Sequence, residues 1–321
     1  MRIIPCLLVA VLFLAGQESK PTIGEQHYRV YRGDGRLATF DELLNAAGAA
    51  TVTFLGESHD DPTGHYLEDQ VLRRAHRSDL ALSFEMFESD VQYVLDEYLA
   101  GLISEDHLIS SARAWKNYKS DYRSLVEFAK EHKMPVLAAN APRRYVNRVS
   151  RLGAGSLSEL GVEARRFLPP LPYAKASPEY AERFDRIMEE ARKEQEKRAA
   201  ESGDKQPPRA QDRTKSLEAQ SLWDASMAFS IAGFLTRNPG MRVVHLNGSF
   251  HTASKLGIAD HLVRYRPGTS IMVVTMLSDK SFPEFDAEKM RGQGDFVIVT
   301  DPMLPRSFSS DPPPKPAPAK K

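Results

Sequence analysis

Two histidines and two glutamates pose the chemical question of this sequence. Glu57 and His59 stand in Gly56-Glu57-Ser58-His59, Glu85 opens Glu85-Met86-Phe87, and His251 closes Gly248-Ser249-Phe250-His251. A neutral imidazole is a metal ligand or a general base, and a carboxylate can orient that base or share the metal. As catalytic residues the set is Glu57, His59, Glu85 and His251; as metal ligands it is His59, His251 and Glu85. No simple metal-spacing motif joins them, and a hydrogen-bonded polar cluster without metal meets the same description. Glu85 argues hardest for a role, because it interrupts an apolar strand end where a lone buried carboxylate is costly unless paired. Before His251, the Gly-Ser turn suits close approach to a ligand. His65 reads as a helix-face histidine, Asn140 as a helix cap, and His245 as core or sheet surface.

Such residues meet only if the chain carries distant segments to one place. Thr51 to Leu55 is a β-branched and apolar run, followed by Asp61 as helix cap and Pro62 at the first helical position, with Leu67, Val71, Leu72 and Ala75 on one face. Leu80 to Met86 starts a second unit, with Ser89-Asp90-Val91-Gln92 as a capping box. Pro135 to Ala139 with its helix after Asn140, and Val243 to Leu246 with its turn, make the third and fourth. Further strands are expected at Ile271 to Thr275 and Phe296 to Thr300, and a long buried helix at Ser216 to Leu235. Strands joined through helices need crossovers, so the expected fold is α/β: a mainly parallel β-sheet flanked by helices, with a helical insertion. Ligands of such sheets bind beyond the strands' carboxyl ends, where all four candidate residues would gather.

With 43 basic and 43 acidic side chains in 321 residues, the charge balance gives no general attraction for nucleic acid. Residues 1–16 combine a short basic start, an apolar run and small residues, which predicts a signal peptide and a periplasmic or secreted protein with no membrane span after cleavage. Cys6 lies inside that run, too early for lipid attachment, so the mature chain would have no thiolate ligand, disulfide or cysteine nucleophile. The α/β domain is expected over 17–304, with a charged, disordered or lid-like insertion at 196–215 and a Pro/Lys-rich solvated tail at 305–321. Tyr180, Phe184, Ile187, Met188 and Ala191 form a helical stripe ahead of the insertion, read as a core helix.

A second set is aromatic: Phe87, Trp115, Tyr118, Tyr122 and Tyr145, with Arg143 and Arg144 near them in sequence. Ordinary packing accounts for most of these. A flat macrocycle would nevertheless need an apolar slot, an axial ligand and cations for its carboxylates, and those residue types are present.

Taken in order, Gly56-Glu57-Ser58-His59 with His65, Glu85-Met86-Phe87 with Gln92, the Trp115 and Tyr118 region, Asn140-Ala141-Pro142-Arg143, Ser221-Leu222-Trp223-Asp224-Ala225-Ser226-Met227-Ala228 and Gly248-Ser249-Phe250-His251 with Gly257 resemble the ChaN-like haem-binding family, grouped with the erythromycin esterases and the Tiki/TraB proteins. The resemblance spans about Thr51 to Thr275. It implies an exported, iron-linked protein that binds ferric haem through tyrosine, as a homodimer enclosing two haems. The ligand would stand among Tyr118, Tyr122, Tyr145 and Tyr173, with Arg143 among the cations for the propionates. It also implies a site at Glu57, His59, Glu85 and His251 that in the esterase relatives activates water, so that a metal- or His-dependent hydrolase is the rival expectation. The lipid-attachment cysteine of lipoprotein members has no counterpart here.

Overall fold

The computed structural model describes residues 22–202 and 212–307. The signal-peptide stretch 1–16 lies outside the described residues, as do 203–211 of the charged stretch and 308–321 of the tail. The elements run β1 (Tyr28–Arg32), β2 (Leu37–Ala38), α1 (Phe40–Ala49), β3 (Val52–Glu57), α2 (Pro62–Ala75), β4 (Leu80–Glu88), α3 (Gln92–Leu99), α4 (Glu105–Ser111), a π-helical turn (Tyr118–Tyr122), α5 (Arg123–Glu131), β5 (Val136–Asn140) and α6 (Arg143–Leu152). They continue through α7 (Val162–Arg165), α8 (Pro178–Ser202), α9 (Arg213–Arg237), β6 (Arg242–Gly248), α10 (Ile258–Tyr265), β7 (Ile271–Ser278), α11 (Ala287–Met290) and β8 (Phe296–Thr300).

The eight strands form one sheet in the order β2-β1-β8-β7-β3-β6-β4-β5. From β8 to β5 every pairing is parallel, and only β1 runs antiparallel, to β8 and to β2. Alternate residues leave opposite faces of a strand. Leu55, Leu82, Leu246 and Val274 accordingly pack in one core with α2, α3 and α5, while Phe54, Ala81, Val243 and Val273 pack in another with α9 and α10. Both faces are covered, as a parallel sheet requires, and the expected α/β architecture is the one observed.

Local signals act where they were read on α2, with Asp61 accepting from Thr63 N and Pro62 in the first turn. The expected capping box at Ser89 does not form. Residues Ser89–Val91 make a 3-10 turn, Ser89 Oγ donates to the Phe167 carbonyl, and Gln92 turns to the sheet margin. There its Nε2 donates to Val136 O at 2.8 Å and its Oε1 accepts from Ala138 N at 2.7 Å, so one amide replaces a missing neighbour of β5. In the charged stretch 196–215, α8 extends to Ser202 and α9 starts at Arg213, so both flanks are helical rather than loop.

Gln92→Ala would leave a carbonyl and an N–H of β5 without these partners. Urea unfolding is expected to show a loss of about 1–3 kcal/mol; a stability equal to that of the wild type would show that water serves the strand equally well.

Candidate functional site at the carboxyl ends of the strands

The central strands β3, β6 and β4 lie side by side, and each delivers one part of the site. Pairing of β4 with β6 ends at Phe84↔Leu246, and its register with β5 shifts between Phe84 and Glu88. That irregularity falls on Glu85, Met86 and Phe87, where a bulge re-aims side chains. Glu85 there accepts from Gly248 N through Oε2 at 2.7 Å and lies 3.5 Å from His251 Nε2 through Oε1. At the end of β3, Glu57 Oε1 accepts from His59 Nδ1 at 2.8 Å and from the Tyr122 hydroxyl, with His65 Nδ1 3.1 Å from Oε2. Gly248 brings the strand end close to His59: a Cβ there would stand 3.0 Å from His59 Nε2 and would push that ring aside.

His251 is held from behind by α9. Its Nδ1 donates to Asp224 Oδ1 at 2.6 Å, and Asp224 also accepts from the Tyr180 hydroxyl. One turn along α8 from Tyr180, the half-buried Arg183 donates to the carbonyls of Ala253 (2.7 Å) and Phe250 (3.1 Å), fixing the turn that carries His251. Gly257, at φ +59°, lets that turn close, since a Cβ would meet the His251 carbonyl oxygen at 2.3 Å.

The electrostatics decide what these groups can do. Burial opposes charge on Glu57 and Glu85, but the imidazole charges of His65 and His251 and the hydrogen bonds they receive hold both carboxyls down at about 2. Burial likewise opposes charge on His251, and the carboxylates of Glu85 and Asp224 overcome it, lifting His251 to about 10. His59 is also raised, because the Glu57 hydrogen bond and the Glu85 charge outweigh its burial. At neutral pH His251 therefore donates a proton and cannot accept one. Water activation in this site would draw its base from the Nε2 of His59 or from Glu85 rather than from His251.

A cleft of about 960 Å³ opens over this floor, lined by His59, Glu85, Met86, Asn140, Arg143 and His251 among others. Its two indoles each meet one imidazole edge to face, Trp115 against His59 at 4.7 Å and Trp223 against His251 at 6.2 Å between centroids. Arg113, Lys116 and Arg143 stand around it. Arg113 is paired with Glu88 and Asp90, whereas Lys116 and Arg143 make no ion pair among the described residues.

Glu57, His59, Glu85 and His251 thus stand in one place, with Arg143 at the cleft. No tyrosine is among the cleft's lining residues. Tyr118 and Tyr122 are each 1% exposed, the Tyr118 hydroxyl buried without a partner among the described residues and the Tyr122 hydroxyl donating to Glu57, so both expected ligands stand beneath the cleft floor rather than in its lining. Tyr145 packs half-buried on α6 beside Arg144, and Tyr173 donates to the Glu218 carbonyl. Among the described residues it is Glu57, His65 and Glu68 that bring three ligand atoms within 4.8 Å of one another, a different set from the expected His59, Glu85 and His251. His65 is no surface histidine but a buried partner of Glu57 and Glu68. Sequence reasoning also passed over Glu68, Asp224 and Arg183 as individuals; an acid inside the apolar stripe of a buried helix is the signal that marks Asp224.

His251 faces Asp224, Glu85, Gln220 and His59. A histidine raised on folding from 6.5 to about 10 stabilises fully below 6.5 and loses that contribution as pH climbs through 10. Glu85, lowered from 4.5 to about 2, stabilises above 4.5 and loses it as pH falls through 2. Asp224→Asn, followed by thermal unfolding against pH, is expected to give a smaller alkaline decline that ends at lower pH; an unchanged alkaline limb would assign that limb to another group.

No curated protein matches this chain. Among solved structures it is similar to ChaN of Campylobacter jejuni with cofacially bound haem, at a TM-score of 0.63 and 20% identity, covering 88% of this chain and 100% of that one. A Bacillus cereus protein follows at a TM-score of 0.46 and 10% identity over 86% and 95% of the two chains, and an erythromycin esterase at 0.43 and 13% over 86% and 83%. The first likeness shows the fold. The family model described as haem-binding uptake, Tiki superfamily, ChaN matches residues 43–262, and the chain therefore belongs to the ChaN family.

Proposed function

We propose that this protein is a haem carrier whose cargo lies in the cleft between Trp115 and Trp223. The observation that carries the reading is the donor set of that cleft. His59 gives its Nδ1 hydrogen to Glu57, which leaves Nε2, without a hydrogen bond among the described residues, as the nitrogen able to bind iron. A carboxylate behind a ligating imidazole raises its basicity and fixes its tautomer. The indoles and Met86 supply apolar walls, and the volume of about 960 Å³ is at the upper end of small-ligand sites. Lys116 and Arg143, without an ion pair among the described residues, are suited to the two propionates. The protonated His251 adds a further donor toward an anionic group.

Family membership supports haem as the ligand class. Export rests on the composition of residues 1–16, which gives a carrier acting in the periplasm or outside the cell in iron acquisition. A second copy closing the open side of the cleft is the homodimer expected of this reading. Tyr145, on the same helix as Arg143, is the tyrosine left as an alternative ligand.

Titration of the purified chain with hemin tests the proposal. A saturable shift of the Soret band at one equivalent is expected, with a low-spin or high-spin imidazole spectrum that is lost in His59→Ala. Arg143→Ala is expected to weaken binding by about tenfold or less, the size of one exposed charge-assisted contact. A tyrosinate charge-transfer band lost in Tyr145→Phe would move the iron to α6 and overturn His59 as ligand. No shifted Soret band at stoichiometric hemin would remove the carrier function altogether.

A further inference from the structure

Behind His59, on the side away from the cleft, three side chains converge that haem binding leaves unexplained. Glu57 ends β3, and His65 and Glu68 lie one turn apart on the buried face of α2. None is more than 6% exposed. His65 Nδ1 stands 3.0 Å from Glu68 Oε2 and 3.1 Å from Glu57 Oε2.

One imidazole hydrogen faces two carboxyl groups in this arrangement, and burial together with the Glu57 charge pushes Glu68 well above the usual carboxyl range. His65 Nε2 lies 3.1 Å from the His59 carbonyl oxygen, which only accepts, so Nε2 carries a hydrogen. Nδ1 then faces two carboxyl groups with at most one hydrogen, and it serves Glu68 Oε2. Glu57 Oε2 and Glu68 Oε1 are buried with no hydrogen-bond partner. Carboxylate oxygens at such depth need a compensating charge: the His65 imidazole, 3.1 Å from Glu57 Oε2, supplies it when protonated, and a bound cation would supply it with His65 neutral.

The spacing fits a cation. Ligands at adjacent octahedral positions around an ion with bonds of about 2.1 Å stand about 3 Å apart, which matches the two Nδ1 to oxygen distances given above. The outer contacts fit as well: the His59 carbonyl fixes the ring through Nε2, and Asn117 Nδ2 holds the same carbonyl at 2.9 Å. Access from the cleft passes His59, whose side chain is 44% exposed and bonded to the other oxygen of Glu57.

We propose that Glu57, His65 Nδ1 and Glu68 bind one divalent first-row transition cation. One imidazole with two carboxylates and no thiolate suits manganese, iron or zinc ahead of magnesium or calcium. The ion would tie the end of β3 to α2, and would thereby set the position of His59 at the cleft. This site is separate from the one formed by His59, Glu85 and His251, and it does not depend on haem being the cargo.

The full chain, stripped with chelator and free of haem, is loaded with Mn²⁺ or Zn²⁺, desalted and assayed for bound metal, with thermal unfolding in parallel. About one equivalent per chain and a higher unfolding temperature are expected. His65→Ala and Glu68→Gln, checked for folding by circular dichroism, are expected to lose at least about tenfold in affinity, and His251→Ala to retain it. Because either α2 variant can fail to fold, the Mn²⁺-loaded wild type is also examined by pulsed electron paramagnetic resonance, where one directly bound imidazole nitrogen is expected. No retained cation in the wild type, full retention in folded His65→Ala and Glu68→Gln, or two bound imidazole nitrogens would each overturn the site; the last would place the ion on His59 and His251.

Discussion

A carboxylate buried at the end of a central strand has to be met by hydrogens from every side, and Glu57 imposes that demand on this molecule. It is 3% exposed, and the groups that answer it come from three places: His59 from the loop after β3, His65 from α2, and Tyr122 from the π-helical turn. One charge therefore fixes the docking of three segments. Glu85 repeats the arrangement one strand away, where the Gly248 N–H and His251 answer it and Asp224 secures His251 from α9. Removing any one member strands the others as unpaired buried charges, so the site behaves as a unit and is stiff before any ligand arrives.

That stiffness orders the chemistry. With Asp224 and Glu85 both facing it, His251 keeps its proton, and the cleft presents a fixed donor, a carboxylate and one imidazole whose free nitrogen faces outward. A hydrolase would have to take its base from the Nε2 of His59 or from Glu85, and the charged imidazole beside Glu85 lowers that carboxylate's power as a base. A carrier needs only a ligand atom, flat apolar walls and cations, and these the cleft has. The superfamily arrangement of glutamates and histidines is thus compatible with holding a ligand without transforming it.

Much of this was legible in the residues. The strands at Thr51, Leu80, Pro135 and Val243 stood out because apolar, β-branched runs between helix caps have few other readings, and parallel connection then dictated that Glu57, Glu85 and His251 share an edge. What failed was local or depended on depth. Ser89 and Gln92 have the letters of a capping box, yet Gln92 gains more from the bare margin of β5. Tyr118 and Tyr122 have the chemistry of an iron ligand, but nothing in a tyrosine's spacing says which way the π-helical turn will point it. His65 and Glu68 were hidden because an i, i+3 polar pair on a helix ordinarily faces water; here the stripe of Leu67, Val71 and Leu72 carries them inward. Asp224 sits in a run of small and apolar residues, and the argument applied to Glu85 would have reached it.

Both margins of the sheet are blunted, one by the two-residue β2 and the other by the Gln92 amide lying along β5. An open strand recruits a neighbour from another molecule, and among the described residues both margins of this sheet disfavour growth by strand addition. Resistance to fibre formation is thus gained from the same amide that a simple reading would have assigned to starting a helix.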